Sequence, residues 1–367
     1  MTASPKARVL IVDDAVVVRK ALTDALARDP ALEVVGTARN GRLALTKFTQ
    51  LRPDIILLDI EMPEMNGLET VPEIRKLDRR VPIIMFSTLT ERGAEATLEA
   101  LSRGATDYVT KPSNTDIEST FHRISDELIP KIKAFCHVPA SLPVVGTRQP
   151  VLLPPKVTLQ TRKAPTAATR VHLVAIGVST GGPEALAKVL PALPANFPVP
   201  VVIAQHMPPI FTSLLASRLS AKSSLPVREC RAGEPLLPGC VWIAPGDYHM
   251  VVNDESGVVR LRVHQGPREN FCRPSVDVLF RSVAHIYGAK TLAVILTGMG
   301  QDGFKGCEEL VAAGARVIVQ DEATSVVWGM PGFVARAGLA EKILPLDQIG
   351  PEIVRRVAGQ AMQVHAT

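Results

Sequence analysis

Ser179, His206 and Asp302 each stand just beyond an apolar run. Ser179 lies in Gly177-Val178-Ser179-Thr180-Gly181-Gly182 after Val171–Ile176, and His206 lies in Gln205-His206-Met207-Pro208 after Val199–Ala204. Asp302 lies in Thr297-Gly298-Met299-Gly300-Gln301-Asp302-Gly303 after Thr291–Leu296. A serine hydroxyl is a poor nucleophile until a neutral imidazole takes its proton, a gain of about 10²–10⁴-fold. The imidazole in turn needs a carboxylate on its other nitrogen to fix the tautomer and stabilise the imidazolium. Backbone N–H groups near Thr180 and at Met299 are candidates to hold an oxyanion, and losing one such donor costs about 10²–10³-fold. These are the parts of acyl transfer through serine.

Other readings compete for the same residues. Gly177–Gly181 fits G-x-S-x-G and Pro183 suits a first helical turn, but a glycine-rich strand-to-helix turn also binds phosphate or simply turns. The chain order Ser, His, Asp departs from the Ser, Asp/Glu, His order of α/β-hydrolases. His249, with Asp247 near it, is a rival imidazole that reads as an exposed loop residue after Pro245-Gly246. Asp277 and Asp321 are rival acids that read as surface or capping residues.

A second constellation lies nearer the N-terminus. Asp13-Asp14 ends the run Arg8–Val12, Asp59 ends Ile55–Leu58, Ser87-Thr88 ends Val81–Phe86, and Tyr108-Val109-Thr110 leads into Lys111-Pro112. Three carboxylates at one edge repel unless a cation shares them, and hard oxygen donors suit Mg²⁺. A nearby lysine would offset the charge of a transferred phosphoryl group.

Strands apolar throughout and separated by helical stretches imply parallel sheets covered on both faces, with the functional crevice outside the carboxyl ends of the strands. The expected class is α/β, two doubly wound parallel-sheet domains spanning 1–125 and 170–367. Between them, 126–169 contains Pro130, Pro139, Pro143, Pro150, Pro154, Pro155 and Pro165, with basic and no acidic residues beyond Leu128. Proline and like charge favour an extended tether.

Composition narrows the function. The 367 residues suit two or three domains, and 46% hydrophobic residues supply cores. A net charge of +5 with 4% aromatics and no basic run interleaved with stacking residues disfavours nucleic acid, as does the lack of a C-terminal helix-turn-helix pattern. Five cysteines without a C-x-x-C pair disfavour a disulfide framework or zinc ribbon. The polar Met1–Arg8 and the absence of a long apolar stretch lead to the expectation of a cytoplasmic protein without membrane insertion.

The stretch carrying Asp13-Asp14, Asp59, Ser87-Thr88, Tyr108 and Lys111-Pro112 resembles the receiver domain of two-component response regulators, whose fold is flavodoxin-like. The resemblance implies that Asp59 accepts a phosphoryl group from a histidine kinase. It implies Mg²⁺ held by Asp14 and Asp59, by Asp13 through water, and by the Glu61 backbone carbonyl. Lys111 and Ser87 would bind phosphoryl oxygens, Tyr108 would be the switch aromatic, and Lys111–Pro112 would be a cis bond. The later stretches, Gly177–Glu184, Gln205–Pro208 with Phe211-Thr212, Arg273–Asp277, Leu296–Gly303, and Gln320–Glu322 with Gly329–Pro331, resemble the Rossmann-like, three-layer catalytic domain of chemotaxis protein-glutamate methylesterases. That resemblance implies Ser179 as nucleophile, His206 as base and Asp302 as orienting acid, with no cofactor in the esterase site. It further implies glutamyl methyl esters of chemoreceptors as substrate, often deamidation of receptor glutamines, and control by the phosphorylated receiver, which uncovers the esterase edge.

Overall fold

The computed structural model describes residues 6–111, 124–136 and 169–358, which fall into two compact units, 6–136 in the first and 169–358 in the second. In the first unit, β1 (Ala7–Val12), β2 (Leu32–Ala38), β3 (Ile55–Asp59), β4 (Ile83–Ser87) and β5 (Asp107–Thr110) pair in parallel in the order β2-β1-β3-β4-β5. Every residue of β3 and β4 is buried, as a sheet covered on both faces requires. The connecting helices α1 (Val16–Leu26), α2 (Gly41–Leu51), α3 (Gly67–Leu77) and α4 (Glu91–Ser102) have locally written starts. The Asn40 side chain accepts from Leu43 N–H, Asn66 and Glu69 close a capping box, and Thr90 accepts from Gly93 N–H. Strand order reverses between β1 and β3, which opens a crevice at their carboxyl ends, where Asp13 and Asp59 stand.

The first unit runs on past 125. A helical turn over Ile124–Leu128 continues into α5 (Ile129–Phe135), whose Ile132, like Leu128, is completely buried. Lys131 and Lys133, read from the sequence as charges of a tether, pair with Asp107 at 2.9 Å and Asp29 at 2.6 Å. The sequence hides this because both carboxylates are far away along the chain. The rest of the expected connector, residues 137–168, and Pro112 of the expected cis bond lie outside the described residues.

The second unit holds β6 (Leu173–Val178), β7 (Val201–Gln205), β8 (Val227–Glu229), β9 (Val241–Ile243), the hairpin β10 (His249–Glu255) and β11 (Val258–His264), then β12 (Thr291–Ile295), β13 (Arg316–Gln320) and β14 (Lys342–Leu344). Seven strands form one sheet in the order β14-β13-β12-β6-β7-β9-β8, all pairs parallel, while β10 and β11 pair antiparallel. Sequence reading missed the hairpin, because its strands carry charges on the exposed side and lack the continuous apolar run of the others. The helices are α6 (Gly182–Val189), α7 (Phe211–Lys222), α8 (Val276–Tyr287), α9 (Phe304–Ala312), α10 (Met330–Arg336) and α11 (Leu346–Ala358). The order reverses at β6 and β12, so the crevice rule points to the turns after them.

Helix α8 buries Val276, Leu279, Phe280 and Val283 in the main core, and Gly306 brings α9 so close that a Cβ there would lie 2.5 Å from the Phe280 Cβ. The position of α8 matters because its first turn faces the crevice. Phe280→Ala should cost about 3–5 kcal/mol. Calorimetry of the full chain should show the second unit's transition lowered accordingly; an unmoved transition would contradict the packing.

Candidate functional site

Parallel pairing puts Ser179 beside His206. Val178 of β6 is in register with Gln205 of β7, and His206 N–H donates to the Val178 carbonyl at 3.2 Å. The Gln205 side-chain amide donates to the carbonyls of both Ser179 (3.0 Å) and His206 (3.1 Å), tying the two turns together. On the other flank Ser179 N–H donates to the Thr297 carbonyl at 3.0 Å, which joins it to the turn after β12. Two glycines make the approach feasible. Gly181 takes φ +76°, and a Cβ at Gly298 would lie 2.8 Å from the Ser179 Cβ.

Asp302, expected opposite His206, is there: its Oδ2 lies 2.7 Å from His206 Nε2. The carboxylate also sits on the N-terminus of α8. Oδ2 accepts from Val276 N–H at 2.6 Å, and Oδ1 accepts from Ser275 Oγ at 2.8 Å, Asp277 N–H at 3.2 Å and Asn270 Nδ2 at 2.8 Å. Burial alone would raise the Asp302 pKa, but the bond from His206, that ring's charge, and the donors of α8 outweigh it and hold the carboxyl well below its usual range. Burial opposes charge on the His206 ring, while the adjacent Cys272 sulfur and Asp302 act the other way and prevail, raising its pKa. With Nε2–H donated to Asp302, Nδ1 is the nitrogen left to take a proton, and it faces Cys272 Sγ at 3.5 Å.

The candidate oxyanion donors are unspent: among the described residues the N–H groups of Thr180 and Met299 find no protein acceptor. The rivals are absorbed elsewhere. His249 is buried, not exposed, its Nδ1 accepting from Ser275 N–H and its Nε2 lying 2.9 Å from the Pro267 carbonyl. Asp247 pairs with Arg273 at 2.7 Å. Asp277 is also buried; its carboxylate accepts from Gly306 N–H and Asn270, and burial, with the charge of Asp302 adding to it, pushes its pKa up to about 6. Asp321 closes its own turn by accepting from Thr324. Sequence reasoning gave no role to Asn270, Cys272, Gln205 or Ser275. The run Arg273–Asp277 was the available signal, a Ser cap and a helix start whose free N–H groups need an anion.

In the first unit Asp13 and Asp59 are buried and Asp14 is exposed, and the three offer ligand atoms within 4.8 Å of one another. Lys111 Nζ bridges Asp13 at 2.9 Å and Asp59 at 2.8 Å. Burial pushes the Asp59 pKa up to about 6 despite Lys111, with Asp13 adding to the rise. Asp14, Asp59, Glu61, Ser87 and Lys111 line one cavity of about 270 Å³. Ser87 Oγ meanwhile donates to the Gly93 carbonyl at 3.0 Å. Tyr108 is buried away from that cavity, under the Lys131 ammonium at 5.5 Å. An all-oxygen donor set with surplus negative charge suits a hard divalent cation such as Mg²⁺. No helix among the described residues is long and apolar enough to cross a membrane.

A family model described as CheB methylesterase matches residues 174–353, and one for the response regulator receiver domain matches residues 9–120. A protein-glutamate methylesterase/protein-glutamine glutaminase of Trichodesmium erythraeum is 51% identical over 96% of this chain and 99% of its own length. One of Nocardioides sp. is 52% identical over 97% of each. Among solved structures, the Thermotoga maritima CheB methylesterase catalytic domain is 44% identical, covering 51% of this chain and 99% of that one with a TM-score of 0.50.

The buried acidic cluster generates a pH prediction. With a folded pKa of about 6 against 3.8 for the free group, Asp59 binds more proton in the folded state between those values, so stability falls as pH rises through that window. In chelator, Asp59→Asn should stabilise the first unit by about 1–3 kcal/mol at pH 7 and lose that advantage near pH 4. Calorimetry at both pH values checks this; an advantage independent of pH would contradict it.

Proposed function

The chain belongs to the CheB methylesterase family, and on that premise we propose that it is a receiver-controlled serine esterase whose nucleophile, base and acid are Ser179, His206 and Asp302. It hydrolyses glutamyl methyl esters of chemoreceptors, releasing methanol, and deamidates receptor glutamines. The observation that carries the reading is the 2.7 Å contact between His206 Nε2 and Asp302, made at strand ends on either side of Ser179.

In the reacting complex the Ser179 hydroxyl takes its place on His206 Nδ1 and attacks the ester carbonyl as its proton passes to that nitrogen. The carbonyl oxygen, now anionic, accepts from the N–H groups of Thr180 and Met299. Collapse expels methanol, which leaves with the proton from Nδ1, and an ester to Ser179 remains. Water then repeats the sequence and frees glutamate; with glutamine, ammonia leaves in place of methanol. Asp302 stays ionised throughout, held by the start of α8, and stabilises the imidazolium.

In the receiver, Asp59 is the phosphoryl acceptor from a histidine kinase. Asp13, Asp14, Asp59 and the Glu61 carbonyl would hold Mg²⁺, which when bound neutralises charge on the transferring group. Lys111 and Ser87 would take the phosphoryl oxygens, and Tyr108 would report the switch. Buried carboxylates bridged by a single lysine support this assignment.

Ser179→Ala should lower methanol release from methylated receptor membranes by about 10⁴-fold or more while the chain stays folded, and Asp302→Asn should lower both turnover and the melting temperature of the second unit; substantial turnover in Ser179→Ala would refute the nucleophile. Asp59→Asn should keep basal turnover and lose the response to a small-molecule phosphodonor. Because the neutral ring is the base and the His206 pKa is raised to about 10, kcat/KM should climb from pH 7 toward about pH 10. A flat profile would contradict that charge assignment.

A further inference from the structure

A thiol that no step of ester hydrolysis uses lies against His206, held there by a strap. Glu269 and Cys272 exchange backbone hydrogen bonds at 3.1 and 2.9 Å, closing a turn whose two central residues, Asn270 (φ 50°) and Phe271 (φ 64°), both take left-handed backbone without being glycine. Arg281 grips the Glu269 carboxylate with two bonds, at 2.7 and 2.5 Å, and Asn270 Nδ2 binds Asp277 and Asp302 at 2.8 Å each. These anchors fix Cys272, half-buried, with Sγ 3.5 Å from His206 Nδ1.

That separation, a thiol–imidazole hydrogen bond here, equals the bite of a metal. Tetrahedral Zn²⁺ with Zn–S near 2.3 Å and Zn–N near 2.0–2.1 Å places its sulfur and nitrogen ligands about 3.5 Å apart. The other imidazole nitrogen already donates to Asp302 at 2.7 Å, and a ligating histidine with its far N–H on a carboxylate is the usual arrangement at zinc. Asp302 is fully engaged by the start of α8, so it orients the ring and does not ligate. Imidazole plus thiolate selects a borderline-soft ion, in contrast to the all-oxygen cluster of the receiver. We propose that His206 Nδ1 and Cys272 Sγ form an inhibitory Zn²⁺ site at the catalytic centre, with water in the remaining positions. Occupancy blocks Nδ1, the atom that receives the Ser179 proton; the inhibitory effect rests on the esterase reading, the binding does not. Zn²⁺ binds a thiolate and an imidazole nitrogen free of its proton, so protons held by either ligand leave to solvent as the metal binds and affinity rises with pH.

Two measurements on the full-length chain test this. In the methanol-release assay with phosphodonor, buffered Zn²⁺ should inhibit reversibly, chelator should restore the rate, and Cys272→Ser should raise the half-inhibiting Zn²⁺ about 10-fold or more, each variant being normalised to its own metal-free rate. Equal sensitivity in Cys272→Ser would overturn the site. In the Ser179→Ala background, Co²⁺ should give a near-ultraviolet thiolate-to-metal absorption band that Cys272→Ser abolishes. A band that survives Cys272→Ser, or no band at all, would also overturn it. If no methanol were released under any condition the esterase reading would fail, while the cobalt spectrum would still decide whether the metal site exists.

Discussion

A carboxylate that is only 2% exposed must be satisfied on both oxygens, and Asp302 is, by five donors: the Asn270 amide, the Ser275 hydroxyl, the N–H groups of Val276 and Asp277, and the His206 ring. Four of these belong to the strap before α8 and its first turn. The carboxylate therefore does for α8 what an anion does at any helix start, neutralising the positive end of the macrodipole, and α8 keeps it ionised in return. Its remaining lone pair fixes the histidine tautomer. The stability of the helix and the orientation of the His206 ring thus rest on one charge, and the core packing of Phe280 and Gly306 reaches that ring through it.

The two sites follow one geometric rule with different electrostatics. Each lies at the carboxyl edge of a parallel sheet where strand order reverses, β1 against β3 in one unit and β12 against β6 in the other. In the receiver the acidic cluster has one lysine for counter-charge, and burial leaves Asp59 with a raised pKa, poised to gain from a cation. In the esterase the negative charge is saturated by N–H groups and a ring, so the pKa falls. The same residue type is pushed in opposite directions by whether its neighbours are other carboxylates or hydrogen-bond donors.

Much of this was legible beforehand because parallel strands are written as unbroken apolar runs, and the residue that ends each run is forced to one edge. That logic located Ser179, His206, Asp302, Asp13, Asp59 and Lys111 without any side-chain contact being known. It failed where a partner lies far away in sequence and no periodicity announces it. Lys131 and Lys133 look like solvated charges until Asp107 and Asp29 meet them, and His249 looks exposed after its Pro-Gly turn until the strap carrying Ser275 covers it. Asn270 and Cys272 were invisible for a further reason: left-handed backbone at two successive non-glycine residues is not something composition foretells.

The Gln205 amide, bonded at once to the carbonyls of Ser179 and His206, makes the spacing of two neighbouring strands the ruler for the separation of these two turns. Strands in a ladder stand about 4.8 Å apart and hardly yield. Substitutions elsewhere in the domain can reshape the mouth of the crevice, while the separation of the Ser179 and His206 backbones is inherited from the ladder. The shape of the rim is thereby uncoupled from the spacing of the two turns.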